Sequence, residues 1–500
     1  MDLLPYFIIV PLATAFLMPL LGRRVNFFGD AVAIIASFVL IMLSFTAMHK
    51  AAGSNTIICN AGMWAAPFGI SFVADGFAAL MLALVSVVTF FAVLHSVSYI
   101  RIYTDTWKYF SLIMLMVGGI NGVLLSGDIF SLFVFLEVAS IAMYALVAFG
   151  TEAHALEASF KYAVMSAVAS SFILIGIAFL YSYTSTLNMA DMAREILVKG
   201  PGKVVPFVST LFIMGFGLKT ALVPFHAWLP DAYTAAPAPI PAMSSGALIK
   251  ALGIYVIARL FFNVFGINGS ISAVLIGLAV LSMITGSLLA IGQHNMRRLL
   301  GYSSISQVGF IMLGLGIGTP LAVFGAIFHI LNHALSKGLL FLSTGSVENS
   351  IGTQDIKKMH NLITRTPAVG YSNLSAIFSI CGVPPFGGFW SKLIIILACI
   401  QSGHIYLALT AVAASILTIV YYFRAFTPAL FGTGNKENKE RVLKINIPLA
   451  EKVSIITLAA VSVLLAVLII PGPGQDVIKN AASSLVSRMA YADIVLGALK

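Results

Sequence analysis

Titratable side chains stand where this sequence is otherwise apolar. The run FSLFVFLEVASIAMYALVAF carries Glu137, nine residues or roughly 14 Å of helix beyond Asp128. Lys219 precedes Pro224 and Pro230 in GFGLKTALVPFHAWLP, and Lys250 sits ten residues into PAMSSGALIKALGIYVIARL. Lys392 follows the Pro384, Pro385, Gly387 and Gly388 of ICGVPPFGGFWSKLII. His329, His333 and Lys337 recur every four residues in FGAIFHILNHALSKGLLFL, along one slowly drifting helix face. A charge at a helix centre costs about 2.5 to 3.5 kcal/mol on insertion scales, so four lysine or glutamate sites cost on the order of 10 kcal/mol together, comparable with a whole protein's net stability. Pairing, hydration or neutralisation must offset that cost. Burial lowers the proton affinity of an amine, and a nearby carboxylate restores it. A lysine whose partner approaches and withdraws is therefore a proton carrier that can be switched.

Each of these residues also has a static reading, and both stay open at this point. Glu137 and Lys219 fit a fixed buried ion pair that sets helix register. Lys392 has the reach to snorkel from near a helix break. His329 and His333 fit core histidines donating to carbonyls, and Lys337 lies close enough to a helix end to be interfacial. Asp128 begins its helix and serves equally as an N-terminal cap or a proton-uptake group. His226, within the interrupted stretch, is a supporting candidate.

The elements that position these groups are membrane helices. Of 500 residues, 60% are hydrophobic and 9% charged, where a soluble domain carries about 25% charged residues. Apolar runs of about 20 residues, each long enough to cross roughly 30 Å of hydrocarbon, recur from end to end. They fall near 3–21, 27–48, 69–95, 109–126, 128–149, 160–184, 204–226, 240–263, 270–292, 298–318, 320–345, 364–401, 405–430 and 453–470. The reading is an all-α polytopic protein of about fourteen crossings with no sizeable soluble domain. The first run lacks a basic flank and a small-residue cleavage site, so it reads as a retained helix.

Odd-numbered loops hold Arg23, Arg24, Arg101, Lys108, Arg297, Arg298, Lys357, Lys358, Arg365, Lys436, Lys439, Arg441, Lys444 and Lys452; even loops and the C-terminal tail hold Lys50, Arg194, Lys199, Lys203, Lys479, Arg488 and Lys500. That bias puts the odd loops in the cytoplasm and both termini outside, in the cytoplasmic membrane of a prokaryote. It also accounts for the net charge of +10 without a nucleic-acid partner. Cys59, Cys381 and Cys399 are scattered without metal-type spacing, so no disulfide framework, cluster site or other cofactor is expected in this chain.

The seventh and twelfth runs share a Gly/Pro interruption beside a lysine. They are five apart, and so cross in opposite directions. Such a pair points to inverted repeats flanking a transport path. The expected organisation is helices 1–3 in residues 1–108, a first five-helix repeat in 109–265, a second in 266–430, and a cytoplasmic loop, last helix and short tail in 431–500.

These residues resemble a family. FLEV around Glu137, GFGLKTALVPFHAWLPDAY, ALIKALGIY, RRLLGYSSISQVGF, HILNHALSKGLLFL and GVPPFGGFWSKL are similar to the antiporter-like membrane subunits shared by respiratory complex I, Mrp-type cation/proton antiporters (their D-type component) and membrane-bound energy-converting hydrogenases. The resemblance spans crossings four to thirteen, in order. It implies fourteen helices with two inverted repeats, and a hydrated midplane axis in which Glu137 pairs with Lys219, Lys250 is central, His329 and His333 relay, and Lys392 is terminal. Arg297-Arg298 stands where the family often has lysine-arginine. The chain ends about thirty residues after its last run, without the lateral helix of the largest complex I subunit. GTQDIKKMHNLITRTP and SKLIIILACIQSGH read more like the hydrogenase and Mrp branch than the quinone-reducing one.

The expected function is a proton-translocating subunit of a multisubunit redox-driven complex, without a catalytic centre of its own. Its partners would be other antiporter-like and small membrane subunits, the bilayer, and a peripheral module holding iron-sulfur, nickel-iron or flavin centres. The competing readings are a subunit of a Mrp-type Na+/H+ antiporter driven by the proton gradient, and a membrane scaffold. A lysine-rich axis favours protons over sodium, whose better ligands are carboxylates and carbonyls.

Overall fold

The computed structural model describes residues 3–22, 28–64, 69–103, 105–432 and 445–497. Arg23, Arg24, Lys436, Lys439, Arg441, Lys444 and Lys500, counted in the charge bias above, lie outside the described residues. The chain is almost entirely helical. In order come α1 (Tyr6–Leu21), α2 (Phe28–Lys50), β1 (Ile57–Asn60), β2 (Ser71–Ala74), α3 (Gly76–Tyr99), α4 (Thr106–Leu125), α5 (Ile129–Val147), α6 (Ala153–Thr184), α7 (Met189–Lys199), α8 (Val204–Lys219) and α9 (Trp228–Ala235). Then follow α10 (Pro239–Val264), α11 (Gly269–Ile291), α12 (Met296–Ile317), α13 (Pro320–Ile351), α14 (Pro367–Cys381), α15 (Gly387–Gln401), α16 (Ile405–Phe431), α17 (Leu449–Ile469), α18 (Pro473–Val486) and α19 (Arg488–Gly497).

Among the described residues, eleven helices are long and apolar enough to cross a membrane; α1, α8 and α15 are shorter apolar helices. Helix starts coincide with short polar side chains that accept from the first turn. Asp75 accepts from Ala78 N, Asp128 from Ser131 N, Asn268 from Ile271 N and Asn295 from Arg298 N. α13, 32 residues long, opens on Thr319-Pro320 and stops at Gly352, whose φ of +78° suits glycine.

Burial separates core helices from lipid-facing ones. The apolar window of α10 is 100% buried and that of α13 94%, against 28% for α17. Exposed apolar side chains such as Phe160, Leu288, Leu409 and Ile416 lie on helices whose outer faces suit hydrocarbon. The titratable groups singled out above therefore lie on or beside the most enclosed helices.

Four expectations are corrected. The run 69–95 begins as β-structure: Ser71–Ala74 pairs antiparallel with Ile57–Asn60, and the helix starts only after the Asp75 cap. The seventh run does not reach 226, because α8 ends at Lys219 and the chain resumes helical form at Trp228. The interval before the seventh run holds the amphipathic α7, capped by Asn188. The C-terminal tail, expected to be short and given no helix, forms α18 and α19. α18 packs against α3 and α13 because Ile478, Ala481, Ala482 and Leu485 form an apolar stripe at helical spacing.

Candidate functional site

The first break is satisfied by protein. Pro224 has no N–H, and the carbonyls at the end of α8 lose their helical partners. Thr220 Oγ1 donates to Phe216 O and Gly217 O, Trp228 Nε1 to Leu218 O at 3.1 Å, and Ser282 Oγ of α11 accepts from Val223 N at 3.0 Å. Lys219, the last residue of α8, points its ammonium at three acceptors: Ser166 Oγ at 2.5 Å, Ser140 Oγ at 2.9 Å and Glu137 Oε1 at 3.4 Å. Glu137 also accepts from Ser170 Oγ. Lys219 is almost fully enclosed, with a side chain 2% exposed, whereas the Glu137 side chain retains 27% exposure on α5.

Lys250 is fully buried on α10, where π-type turns interrupt the regular ladder over Ser244–Leu248 and Lys250–Tyr255. Such turns leave carbonyls without an ordinary i→i−4 partner. The Lys250 ammonium donates to one, Ser245 O. Among the described residues no carboxylate comes within ion-pair distance of it. The turn before it packs on α13: a Cβ at Gly246 would meet Ala334 O at 3.4 Å, between His333 and Lys337.

On α13, Lys337 donates to Leu300 O at 2.8 Å and Tyr422 Oη at 3.0 Å. It is fully buried, which corrects the interfacial reading. The reason is that α13 runs on to Ile351, so Lys337 lies well inside its helix. His329 Nδ1 hydrogen-bonds Ser391 Oγ at 2.8 Å, and the His329 and His333 rings are 6.3 Å apart. His329 Nε2 and both nitrogens of His333 are buried with no protein partner among the described residues.

The second break follows the same logic as the first. α14 stops at Gly382 (φ +79°), and Lys392 on α15 donates to Ile380 O, one of the carbonyls freed there, at 2.7 Å. The ammonium is therefore tied to the break and buried, and does not snorkel. It also lies 5.0 Å from the Phe310 ring, whose other neighbour is His329. Gly388 permits the close approach of α15 to α14, since a Cβ there would fall 1.7 Å from Ser379 O.

Asp128 caps α5 and exchanges a backbone bridge with Asn188. Burial raises its carboxyl above the ordinary value, against the donors from Ser131. His226 lies between α8 and α9, partly exposed, outside the hydrogen bonds of the Lys219 cluster.

Several buried ionic groups were not assigned to the interior from sequence, and Arg297, read as a loop charge, lies buried in the first turn of α12. Arg259 forks onto Asp75 at 2.7 and 2.8 Å. Arg297 contacts Glu348 at 2.5 Å and Tyr99 Oη at 3.0 Å. Glu451, His95 and Ser346 form a third group. Arg259 lies nine residues beyond Lys250 in the same apolar run, a signal that was available. Glu451 reads as the flank of its helix.

Enclosed charges on helices broken beside lysines, within a bundle faced with apolar side chains, define a class: polytopic membrane subunits with a charged interior. Residues 126–418 match the family described as NADH:quinone oxidoreductase/Mrp antiporter, TM, and the chain belongs to that family. It is 34% identical to the Na(+)/H(+) antiporter D subunit of Alkalihalophilus pseudofirmus over 82% of this chain and 84% of that one. It is 35% identical to the NADH-quinone oxidoreductase subunit N of Desulforudis audaxviator over 73% of this chain and 74% of that one. Among solved structures it superposes on a chain of the membrane-bound sulfane sulfur reductase, an archaeal respiratory membrane complex, with TM-score 0.91 and 34% identity, covering 98% of this chain and 99% of that one. A chain of the Mrp complex from a Dietzia species gives TM-score 0.89 at 27% identity, covering 98% of both. The protein is an antiporter-like multi-pass membrane subunit.

Proposed function

We propose that this subunit moves protons along a buried axis from Glu137 and Lys219 through Lys250, His333, His329 and Lys337 to Lys392, as part of a multisubunit redox-driven complex. The observation that carries the reading is the Lys219 site. Its ammonium has one charged partner and two hydroxyls, so the lysine stays solvated by Ser166 and Ser140 when Glu137 releases it. A buried ammonium has three N–H donors, and two of them stay paired here when the carboxylate withdraws. The unpartnered nitrogens of His329 and His333 add support, because a buried polar atom left unpaired costs about 1–3 kcal/mol unless water meets it, and water there completes a relay.

In this reading the repeats are residues 109–265 and 266–430, the odd loops face the cytoplasm and both termini lie outside. Lys392 passes charge to the outer face or a neighbouring subunit. Asp128 and His226 support uptake. Any iron-sulfur, nickel-iron or flavin centre belongs to partner subunits of a peripheral module. The second reading, membership of a Mrp-type Na+/H+ antiporter, is favoured by the similarity to the Alkalihalophilus antiporter chain. Co-purification separates the two: iron-sulfur proteins accompany the subunit in the first case and only membrane subunits in the second. The test of the axis is ΔpH formation in inverted vesicles holding the intact complex, comparing wild type with Glu137→Gln and Lys250→Ala after assembly is verified. Loss of transport with assembly intact supports the axis; wild-type rates in both variants refute it.

A further inference from the structure

At one end of the bundle, Glu451 opens α17 with its side chain 2% exposed. Ser346 Oγ of α13 donates to it, His95 Nε2 of α3 lies 2.9 Å from Ser346 Oγ and 3.7 Å from Glu451, and the Tyr99 ring lies 5.4 Å from that of His95, tilted by 37°. A buried carboxylate is costly to hold, and among the described residues no lysine or arginine comes within ion-pair distance of Glu451. This one borders an open cavity of about 490 Å³, lined by Glu451, Ser346, Ser98, Asn349 and Arg365 among others. Among the described residues, His95 and Arg365 are the ionisable groups that face it. The Arg297–Glu348 pair reaches the same region through Tyr99.

Inward from Glu451, three helices in mutual contact, α13, α14 and α17, line their seam with polar side chains. Glu451, Ser454 and Ser462 share one face of α17, and Ser346, Ser343 and Ser336 one face of α13, at spacings of three, seven and eight residues. Ser343 Oγ donates to Asn373 Oδ1 of α14 at 2.6 Å. Deeper, Ser336 Oγ donates to Ser379 Oγ at 3.1 Å and Ser379 Oγ to Asn332 Oδ1 at 2.8 Å. A hydroxyl has one proton, so in the 3.3 Å contact of Ser336 with Ser462 the donor is Ser462. Ser462, Ser336 and Ser379 are thus a directed chain of hydroxyls anchored on the amide of Asn332, the residue before His333, beside the start of α15, where a Cβ at Gly388 would lie 2.8 Å from Asn332 Nδ2. Between its upper and lower parts the seam runs roughly 10 Å along α13. Ser454 Oγ and Asn373 Nδ2, both buried without a protein partner among the described residues, supply polar lining there of the kind that holds water.

We propose that Glu451 is the loading group of a second proton path, running from this cavity down the α13–α14–α17 seam to the α14–α15 break and Lys392. The carboxylate takes a proton from water in the cavity, held in place by His95 and Ser346, and releases it to the seam; there Ser462, Ser336 and Ser379 each release one proton as they accept one, water at the break carries it to the neutral Lys392 amine, and the Asn332 and Asn373 amides orient the hydroxyls without carrying the proton. The inference rests on the proton-translocating reading above, and the test separates the two.

The experiment compares ΔpH formation by the assembled complex in inverted vesicles, across pH, for wild type, Glu451→Gln, Glu451→Asp, Asn373→Leu, Ser462→Val and, as reference, Glu137→Gln. The expected result is a fall of about tenfold or more in Glu451→Gln and in the two seam variants. Glu451→Asp should recover most of the rate with a displaced pH profile, which a merely structural carboxylate would not give. Wild-type rates in Glu451→Gln and Asn373→Leu, with Glu137→Gln inactive, overturn the seam and leave the axis standing. Wild-type rates in all variants, Glu137→Gln included, overturn the underlying reading. Where Glu451→Gln does not assemble, wild-type rates in assembled Asn373→Leu and Ser462→Val overturn the proposal on their own.

Discussion

Lys219 is closer to Ser166, at 2.5 Å, than to Glu137, at 3.4 Å. The ammonium is therefore solvated chiefly by hydroxyls from α5 and α6, and the carboxylate is one partner of three. Removing the charge at position 137 leaves the lysine two hydrogen bonds. Glu137→Gln should accordingly assemble normally, with a loss of stability of about 1–2 kcal/mol, well short of the 3–5 kcal/mol expected when an ion pair is broken without other acceptors. Transport should fall by about tenfold or more. Thermal melting of the purified complex and ΔpH formation check the two halves. A collapse of melting temperature would mean the pair is a register device.

Ser166→Ala and Ser140→Ala test the same site from the other side. If the hydroxyls hold Lys219 during its separation from Glu137, the double variant keeps the ion pair but cannot release it, so transport falls while assembly is retained. Each lost hydrogen bond to a charged group is worth about 1.5–3 kcal/mol. Rates unchanged from wild type in the double variant would remove the argument for a mobile lysine.

Gly388 and Gly277 form a matched pair of backbone tests. A Cβ at Gly388 would sit 1.7 Å from Ser379 O, and the break cannot open without displacing α15 from α14. Gly388→Ala should cost about 1–3 kcal/mol or more and lower the yield of assembled complex. Gly277, mid-helix in α11, has nothing within 4 Å of its would-be Cβ. Gly277→Ala should be neutral to stabilising by about 0.5–1 kcal/mol, because alanine loses less backbone freedom in a helix. Differential scanning fluorimetry of both variants decides it.

Much of this architecture was legible because its causes are local. Proline without an N–H and adjacent glycines mark both breaks wherever the chain carries them, and Glu137, Lys250 and Lys392 are conspicuous in apolar runs whatever surrounds them. What was hidden depends on neighbours distant in sequence. Ser140 and Ser166 are ordinary serines until α5 and α6 bring them to Lys219. Glu451 reads as a solvated flank until α3 and α13 enclose it. The strand Ser71–Ala74 was taken into a helix because its apolar composition suits either state, and pairing with Ile57–Asn60 chose between them. The tail helices α18 and α19 carry too little apolar length to cross a membrane, and only packing against α3, α7 and α13 shows their place.

The Asp75–Arg259 pair yields a prediction with a definite sign. Burial raises the Asp75 carboxyl, but the Arg259 guanidinium, forked onto both oxygens, outweighs it and holds the group below the usual carboxylate value, helped by the Ala78 N–H. A depressed folded value contributes stability that is present above the unfolded carboxylate range, about pH 4, and is lost as pH falls through the folded value. Between about pH 5 and about pH 8 the wild-type pair should therefore add no slope to the melting temperature. In Arg259→Met the opposing charge is gone and burial dominates, so the folded state holds the proton more tightly than the unfolded one. Stability then falls as pH rises from about 4 towards the raised value. Breaking the pair should cost about 3–5 kcal/mol near neutral pH and visibly less near pH 4. Melting curves of the assembled complex at both pH values test this: a pH-independent loss would mean that Asp75 stays ionised without its arginine, held by the α3 amides alone.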